Sequence, residues 1–302
     1  MITFDDRNIK PMLIGRDEPP FDDKNYIFEL KWDGERCIAY LDPRSGTELR
    51  NKRNVKMLPK VPELIEIHKQ AKVKCVLDGE LMILKEGKPD FFEIQRRSLT
   101  TNKFKIELAS KKYPATFVAY DVLFYKDEDV TMLPLMKRKR LLENAFKESE
   151  RLVLSRYIEE KGIEFYRLAE AQELEGIVAK RKDSVYIQGK RTKDWAKIKY
   201  LKDEDFYICG YILKGNNMIS LVLGDYEDSV LVYKGHVTMG VGQSALQILQ
   251  QLPQWHPPAE TPSGHGNEDA IWVQPIMRGT VRYMPRVGSE GRHQSVFKGF
   301  VQ

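Results

Sequence analysis

Cysteine is scarce in this chain: Cys37, Cys75 and Cys209 are the only three among 302 residues, and they lie far apart. They build neither a disulfide framework nor the paired-cysteine half of a zinc site. Two stand inside apolar runs, so buried free thiols in a reducing compartment are expected. The five histidines, His68, His236, His256, His265 and His293, show no metal-ligand spacing. No stretch approaches the roughly twenty apolar residues that a membrane span needs. The first ten residues are polar, with Asp5 and Asp6 where a secretion signal carries basic charge. A cytoplasmic chain with no membrane partner is the expectation. There is also no Gly-x4-Gly-Lys-Ser/Thr run, since Gly189-Lys190-Arg191 lacks both the leading glycine and the hydroxyl residue, so a phosphate-cradling loop is excluded.

What is present is a chain with 42% hydrophobic and 31% charged residues, the balance of a folded protein. The net charge of +5 is mild, but its distribution is not even. Residues 180–202 hold nine Lys or Arg against Asp183 and Asp194. Up to residue 201, apolar strands alternate with helix-period segments. Residues 26–30, 36–41, 115–125, 175–181 and 195–200 read as strands, and 75–84 as a strand pair or a bulged strand. Residues 62–70, 135–149 and 162–174 read as helices, the first with proline where a helix start tolerates it. After Lys202-Asp-Glu-Asp205, a charged joint expected to act as a hinge, short strands are predicted at 206–213, 218–223 and 230–237. A helix at 243–251 and strands near 270–275 and 280–284 complete the chain, a pattern that suggests a small β-barrel. Two domains are expected, 1–201 and 202–302.

The segment Glu29-Leu-Lys-Trp-Asp-Gly-Glu-Arg36 carries the strongest chemical signal. A strand delivers Lys31 to a turn in which glycine lets the backbone double back, and a second strand carries Arg36 away. Alone this is an ordinary hairpin, but it has company. Arg50-Asn-Lys-Arg-Asn54, Asp78-Gly-Glu80, Tyr120-Asp-Val-Leu123, Glu175-Gly-Ile-Val-Ala-Lys180 and Trp195-Ala-Lys-Ile-Lys199 follow it in order.

This ordered set resembles the covalent nucleotidyltransferase superfamily of ATP-dependent DNA ligases, RNA ligases and mRNA capping enzymes. Residues 31–36 match its K-x-D-G-x-R signature. Arg53 aligns with the arginine of the next motif, although Lys52 and Val55 depart from the pattern, and Tyr120 stands where phenylalanine is usual. The resemblance implies an α+β adenylation domain of antiparallel sheets with flanking helices, followed by an oligonucleotide-binding (OB-fold) β-barrel. It implies that Lys31 takes AMP from ATP, with Lys197 and Lys199 on the α-phosphate. Glu80, Arg36 and Arg53 would meet the ribose, Tyr120 would stack on adenine, and backbone groups around Glu29 and Leu30 would read it, with Lys180 also in the nucleotide site. Glu175, with Glu80, would place Mg²⁺ or Mn²⁺, a cation content with one or two carboxylates beside phosphate oxygens and water.

The chemistry suits those residue types. Lysine attacks phosphorus only as a neutral amine, and an ordinary lysine at pKa near 10.4 costs about 4.6 kcal/mol to neutralise at pH 7. Neighbouring cations lower that cost. Lys197 and Lys199 alternate along one strand, so both face the same side.

Within the superfamily, Tyr186-Ile-Gln-Gly-Lys-Arg-Thr-Lys-Asp-Trp-Ala-Lys-Ile-Lys199 is most similar to DNA ligases, in particular bacterial end-joining ligase modules and prophage enzymes. Trp272-Val-Gln-Pro275, Val281-Arg-Tyr283, Gly291-Arg292 and Phe297-Lys-Gly299 fit the barrel of that group. Five basic residues against one acidic between Met277 and Lys298 suit a sequence-blind grip on duplex phosphates. The resemblance therefore implies a monomer of the bacterial cytosol or nucleoid that seals nicked duplex DNA, with end-joining proteins as partners. DNA ligases usually end in an Arg-x-Asp-Lys motif, and Gln302 stands about where it would begin. The expectation is either truncation or replacement by Arg292 or Lys298, with slow adenylylation. Two rivals stay open: an RNA ligase or GTP-using capping enzyme, separated by nucleotide and end preference, and a non-catalytic nucleic-acid binder, whose mark would be loss of Lys31, Glu80 or Lys199.

Overall fold

The computed structural model describes residues 1–215, 217–285 and 292–301, with His293 by its backbone alone. Gly291 and Gln302, both used in the sequence reading, lie outside the described residues. The chain divides into two compact units, Met1–Tyr200 and Leu201–Gln302.

The first unit opens with β1 (Leu13–Asp17), β2 (Asp23–Leu30), β3 (Glu35–Asp42) and β4 (Gly46–Asn51). Two 3-10 turns precede β5 (Cys75–Lys85) and the short β6 (Lys88–Pro89). Helices α1 (Phe91–Leu99) and α2 (Lys103–Lys112) lead to β7 (Ala115–Tyr125) and β8 (Glu128–Asp129). Then come α3 (Leu135–Ala145), β9 (Leu152–Leu154), β10 (Tyr157–Glu160), α4 (Gly162–Ala171), β11 (Gly176–Arg181) and β12 (Arg191–Lys199). One sheet runs β1-β12-β11-β2-β10, antiparallel except for β1 against β12. The other runs β4-β3-β5-β7-β8, with β6 on β5 and β9 parallel to β7.

Alternation along β3 fixes which face meets which core. Cys37, Ala39 and Leu41 pack with Leu64, Ile67 and Phe117, while Ile38 and Tyr40 pack with Met12, Tyr186 and Trp195. Each fully buried side chain of this size contributes about 1.5–3 kcal/mol, so a strand slipped by one residue would forfeit several of them at once.

Several sequence expectations need adjusting. Residues 62–70 form two 3-10 turns, Pro62–Leu64 and Ile67–Gln70, not one α-helix. Val61, Leu64 and Ile67 are buried at a spacing of three, which suits the tighter helix. The helix predicted to reach Ser149 stops at Ala145, because the next residues leave it to pair with residues 70–72: Lys72 N–H donates to Ala145 O at 2.8 Å and Lys147 N–H to Gln70 O at 2.8 Å. Helices α1 and α2 were not anticipated. Residues 75–85 form a single strand with register shifts beside Leu77 and Gly79, the bulged alternative.

The second unit contains β13 (Lys202–Lys214), β14 (Met218–Glu227), β15 (Val230–Val237), α5 (Gln243–Leu249), β16 (Ile271–Trp272), β17 (Arg278–Pro285) and β18 (Arg292–Phe300). Its sheet runs β15-β14-β13-β17-β18, with β16 on β13, around a core of Phe206, Leu221, Val281 and Phe297. The expected hinge at residues 202–205 is the start of β13. Its carboxylates are engaged across the ladder: Asp203 with Arg282 at 2.6 Å, Glu204 with the Tyr283 hydroxyl at 2.5 Å, and Asp205 with the Thr280 hydroxyl at 2.6 Å. Residues 202–204 are exposed, as their charge suggested, and cross-strand partners also make the segment a strand.

Candidate active site

Strand β2 ends at Leu30, and the N–H of Lys31 donates to Gly176 O at 2.9 Å, tying the lysine to the start of β11. Gly176 has φ +131, and a Cβ there would lie 2.1 Å from Ile198 O, so only glycine fits. Lys31 Nζ lies 2.5 Å from Glu175 Oε1. The β11–β12 register sets Gly176 opposite Lys199. The Lys199 ammonium is pushed below its usual pKa by burial and then by Lys31. Lys197 is lowered by burial and then by Lys199, and its Nζ pairs with Asp17 at 2.9 Å.

From the other sheet come Arg36, Asp78, Glu80 and Tyr120. Arg36 and Asp78 form a fork of two hydrogen bonds, 2.7 and 2.5 Å, and Tyr186 donates its hydroxyl to Asp78 at 2.6 Å. Asp78 thus serves to aim Arg36, whose guanidinium lies 4.9 Å from the centre of the Tyr120 ring. Burial raises the Glu80 carboxyl to about 8, against the pull of Arg36 and Lys31.

Behind Lys31 lies a buried charge cluster. Glu29 pairs with Lys139 at 2.5 Å and Lys180 at 3.2 Å, all three no more than 3% exposed. Lys139 also donates to Tyr120 O at 2.8 Å. The Lys180 ammonium sits 4.5 Å from the Tyr120 ring and 4.3 Å from the Trp195 ring, and burial lowers its pKa to about 8. Glu29 is laddered on both sides, to Tyr157 and Val178, whereas Leu30 pairs only with Ile177. One backbone edge of Leu30 therefore has no strand partner among the described residues.

The structure brings Lys31, Arg36, Glu80, Tyr120, Glu175, Lys180 and Lys199 into linked contacts, with Glu29 behind them. Lys197 joins through Lys199. Arg53 does not join this network: it is exposed on the turn after β4, its N–H on Asn51 Oδ1 at 3.0 Å. Sequence reasoning missed Lys139, read only as part of a basic helix. A signal was available, since Lys139 stands between the core positions Leu135 and Leu142.

Carboxylates here suit a divalent cation. Glu175 Oε2 is buried with no hydrogen-bond partner, and Glu80 resists ionisation in this setting. A hard cation would satisfy both, and Mg²⁺ asks for no more than one or two such ligands. Among the described residues no group of three or more His, Cys, Asp or Glu side chains forms a self-sufficient metal cage.

Comparison with known proteins bears on the same region. The family model for the ATP dependent DNA ligase domain matches residues 19–199. A DNA ligase of Thermococcus fumicolans is 35% identical over 191 residues, 61% of this chain and 34% of that protein. The SPbeta prophage-derived DNA ligase-like protein LigB of Bacillus subtilis is 30% identical over 210 residues, covering 68% of this chain and 73% of that protein. The bifunctional non-homologous end joining protein LigD of the same organism is 25% identical and covers 87% of this chain. The chain spans 34% of the Thermococcus enzyme and 46% of LigD. In fold it is similar to the ligase domain of M. tuberculosis LigD, with a TM-score of 0.59 and 24% identity over 98% of this chain and 96% of that one. Since the matched span contains Lys31, Glu80, Glu175 and Lys199 in their linked arrangement, the motifs and the family coincide: the chain belongs to the ATP-dependent DNA ligases.

Proposed function

We propose that this chain is a DNA ligase that seals 5′-phosphate/3′-hydroxyl nicks in duplex DNA, with ATP as co-substrate and Lys31 as nucleophile. The observation that carries this reading is the Lys31–Glu175 contact of 2.5 Å, with Lys199 and Glu80 close enough to act on it electrostatically. The Lys31 amine attacks the α-phosphorus of ATP, the N–P bond forms, the bond to pyrophosphate breaks, and the amine gives up a proton. An oxygen of the 5′-phosphate then displaces Lys31 from AMP. The 3′-hydroxyl finally attacks that 5′-phosphorus, loses its proton and releases AMP. Lys197 and Lys199 stabilise charge developing on phosphate oxygens. Bound at Glu175 and Glu80, Mg²⁺ or Mn²⁺ would supply further neutralisation of phosphate charge.

In this reading Tyr120 offers a ring face to adenine, the unladdered edge of Leu30 and the Glu29–Lys180 pair read the base, and Arg36 meets the ribose, a role that the exposed position of Arg53 does not support for that residue. Met1–Tyr200 serves as the adenylation domain and Leu201–Gln302 as an OB-fold that grips DNA. A cytosolic monomer that cooperates with end-joining proteins is part of the same proposal.

Incubation with α-³²P-ATP and Mg²⁺ tests it. The parent should take an acid-labile label that nicked DNA chases, and Lys31→Ala should take none. Failure of the parent both to take label and to seal pre-adenylylated nicked DNA would reject the reading.

A further inference from the structure

On the first unit, the corner where α1 ends and α2 begins leaves a group of large apolar side chains uncovered. α2 buries Ile106, Ala109 and Ser110. Its other ridge carries Phe104 and Leu108 one turn apart, 71% and 57% exposed, and Leu99 at the end of α1 is 76% exposed. Such side chains singly are ordinary surface, but Phe104 and Leu108 adjoin on one ridge of α2, and Leu99 precedes them on the short connection from α1.

The corner is firmly supported. Arg97, 1% exposed, is bound to Glu63 and donates to Tyr113 O at 2.6 Å. Lys60 Nζ donates to Thr100 O, and Asn102 caps α2 by accepting from Lys105 N–H at 3.0 Å. Ser98 donates its hydroxyl to Glu35, a member of the 31–36 segment, which pins the corner beside the Lys31 turn. The patch is therefore presented on a fixed backbone.

Its charge favours a polyanion. Lys103 and Lys105 are exposed and have no carboxylate partner among the described residues, while Glu107 is engaged by Lys111 at 3.0 Å. Glu35, to which Ser98 is bonded, is four residues from Lys31, at most about 14 Å along the chain, less than the roughly 34 Å of one duplex turn. A nick held at Lys31 would thus have its flanking duplex within reach. Lysines suit the phosphates, and exposed apolar side chains suit sugar edges in the minor groove.

We propose that the α1–α2 corner is a docking surface for the duplex beside the nick, with Lys103 and Lys105 on phosphates and Leu99 and Phe104 against sugars. This rests on the ligase reading above. The test is equilibrium binding of nicked duplex, without ATP, across a salt series. The parent is compared with Lys103→Gln/Lys105→Gln and with Leu99→Ser/Phe104→Ser. Each phosphate contact contributes about 0.9 to the slope of log K against log salt. The lysine pair should lower that slope by nearly 2, whereas the apolar pair should weaken binding roughly tenfold at unchanged slope. Labelling of Lys31 by ATP in the absence of DNA should be unchanged in both variants, which also reports that they fold. Parent-like affinity and slope in both variants would overturn the proposal. So would self-association of the parent that Leu99→Ser/Phe104→Ser abolishes, since the patch would then belong to a second copy. A parent that binds nicked DNA but takes no label would count against the ligase reading alone.

Discussion

Lys31 Nζ and Glu175 Oε1 are 2.5 Å apart, and the second oxygen of the same carboxylate is buried with no hydrogen-bond partner. The contact fixes the amine at the junction of two sheets, and burial raises the Glu175 carboxyl even with Lys31 beside it. Lys31→Ala should therefore lose the label and also about 1–3 kcal/mol of stability, because Glu175 loses the ammonium bonded to it and keeps only the more distant pull of Lys199. Lys31→Arg keeps a positive partner but offers no neutral amine. It should melt close to the parent and take no label; a labelled Lys31→Arg protein would remove Lys31 from the mechanism.

Lys139 holds Glu29 and the Tyr120 carbonyl from the far side of the site. Lys139→Met strands a carboxylate that is 2% exposed, although Lys180 remains on it. Breaking a buried pair of this kind costs about 3–5 kcal/mol. Urea unfolding should show a loss of that order for Lys139→Met and a much smaller one for Lys139→Arg. Equal midpoints for Lys139→Met and the parent would show that the pair has no structural weight.

The Lys180 ammonium gives a pH signature. Burial lowers its pKa from the ordinary 10.5 to about 8. Below pH 8 folded and unfolded chains both hold the proton; between about 8 and 10.5 the unfolded chain holds more. Unfolding free energy from this group therefore rises with pH across that window. The parent should gain on Lys180→Met between pH 8 and 10.5, by up to about 3 kcal/mol at roughly 1.4 per pKa unit. A difference that is flat or falling across the window would contradict a buried, reluctant ammonium.

Gly34 has no room for a side chain. A Cβ there would lie 2.4 Å from Leu81 O and 2.8 Å from both Glu80 Cγ and Met82 Sδ. Gly34→Ala should displace Glu80 and cost about 1–3 kcal/mol as overpacking. Activity should fall more than stability does, in paired measurements of label uptake and melting. Full label uptake by Gly34→Ala would separate Glu80 from the reaction.

The signature residues were readable because their spacing survives folding: Lys31, Arg36, Glu80, Glu175 and Lys199 meet where two sheets converge. The supporting layer was less visible. Lys139 and Arg138 look like the solvated face of a basic helix, and only tertiary partners 17 to 110 residues away reveal them as buried: Asp121, 17 residues from Arg138, and Glu29, 110 from Lys139. Helices α1 and α2 were overlooked although Asp90 and Asn102 cap them by accepting from Glu93 and Lys105 N–H. Asp90-Phe-Phe-Glu93 after Pro89 was a usable start signal. Lys202-Asp-Glu-Asp205 is as exposed as its charge suggested, residues 202–204 exposed and Asp205 half-buried, but charge did not reveal that it starts a strand with cross-strand partners.

The three cysteines have a practical consequence. Cys37, Cys75 and Cys209 are each no more than 1% exposed, and burial raises all three thiols, Cys75 and Cys209 to about 12. Alkylating reagents act on thiolates they can reach, so the folded chain gives such dyes almost nothing to attack. A single cysteine introduced at an exposed position, for example in place of Thr101, would then carry essentially all the fluorescence of a labelled sample. Appearance of any further label would report that the fold itself had opened.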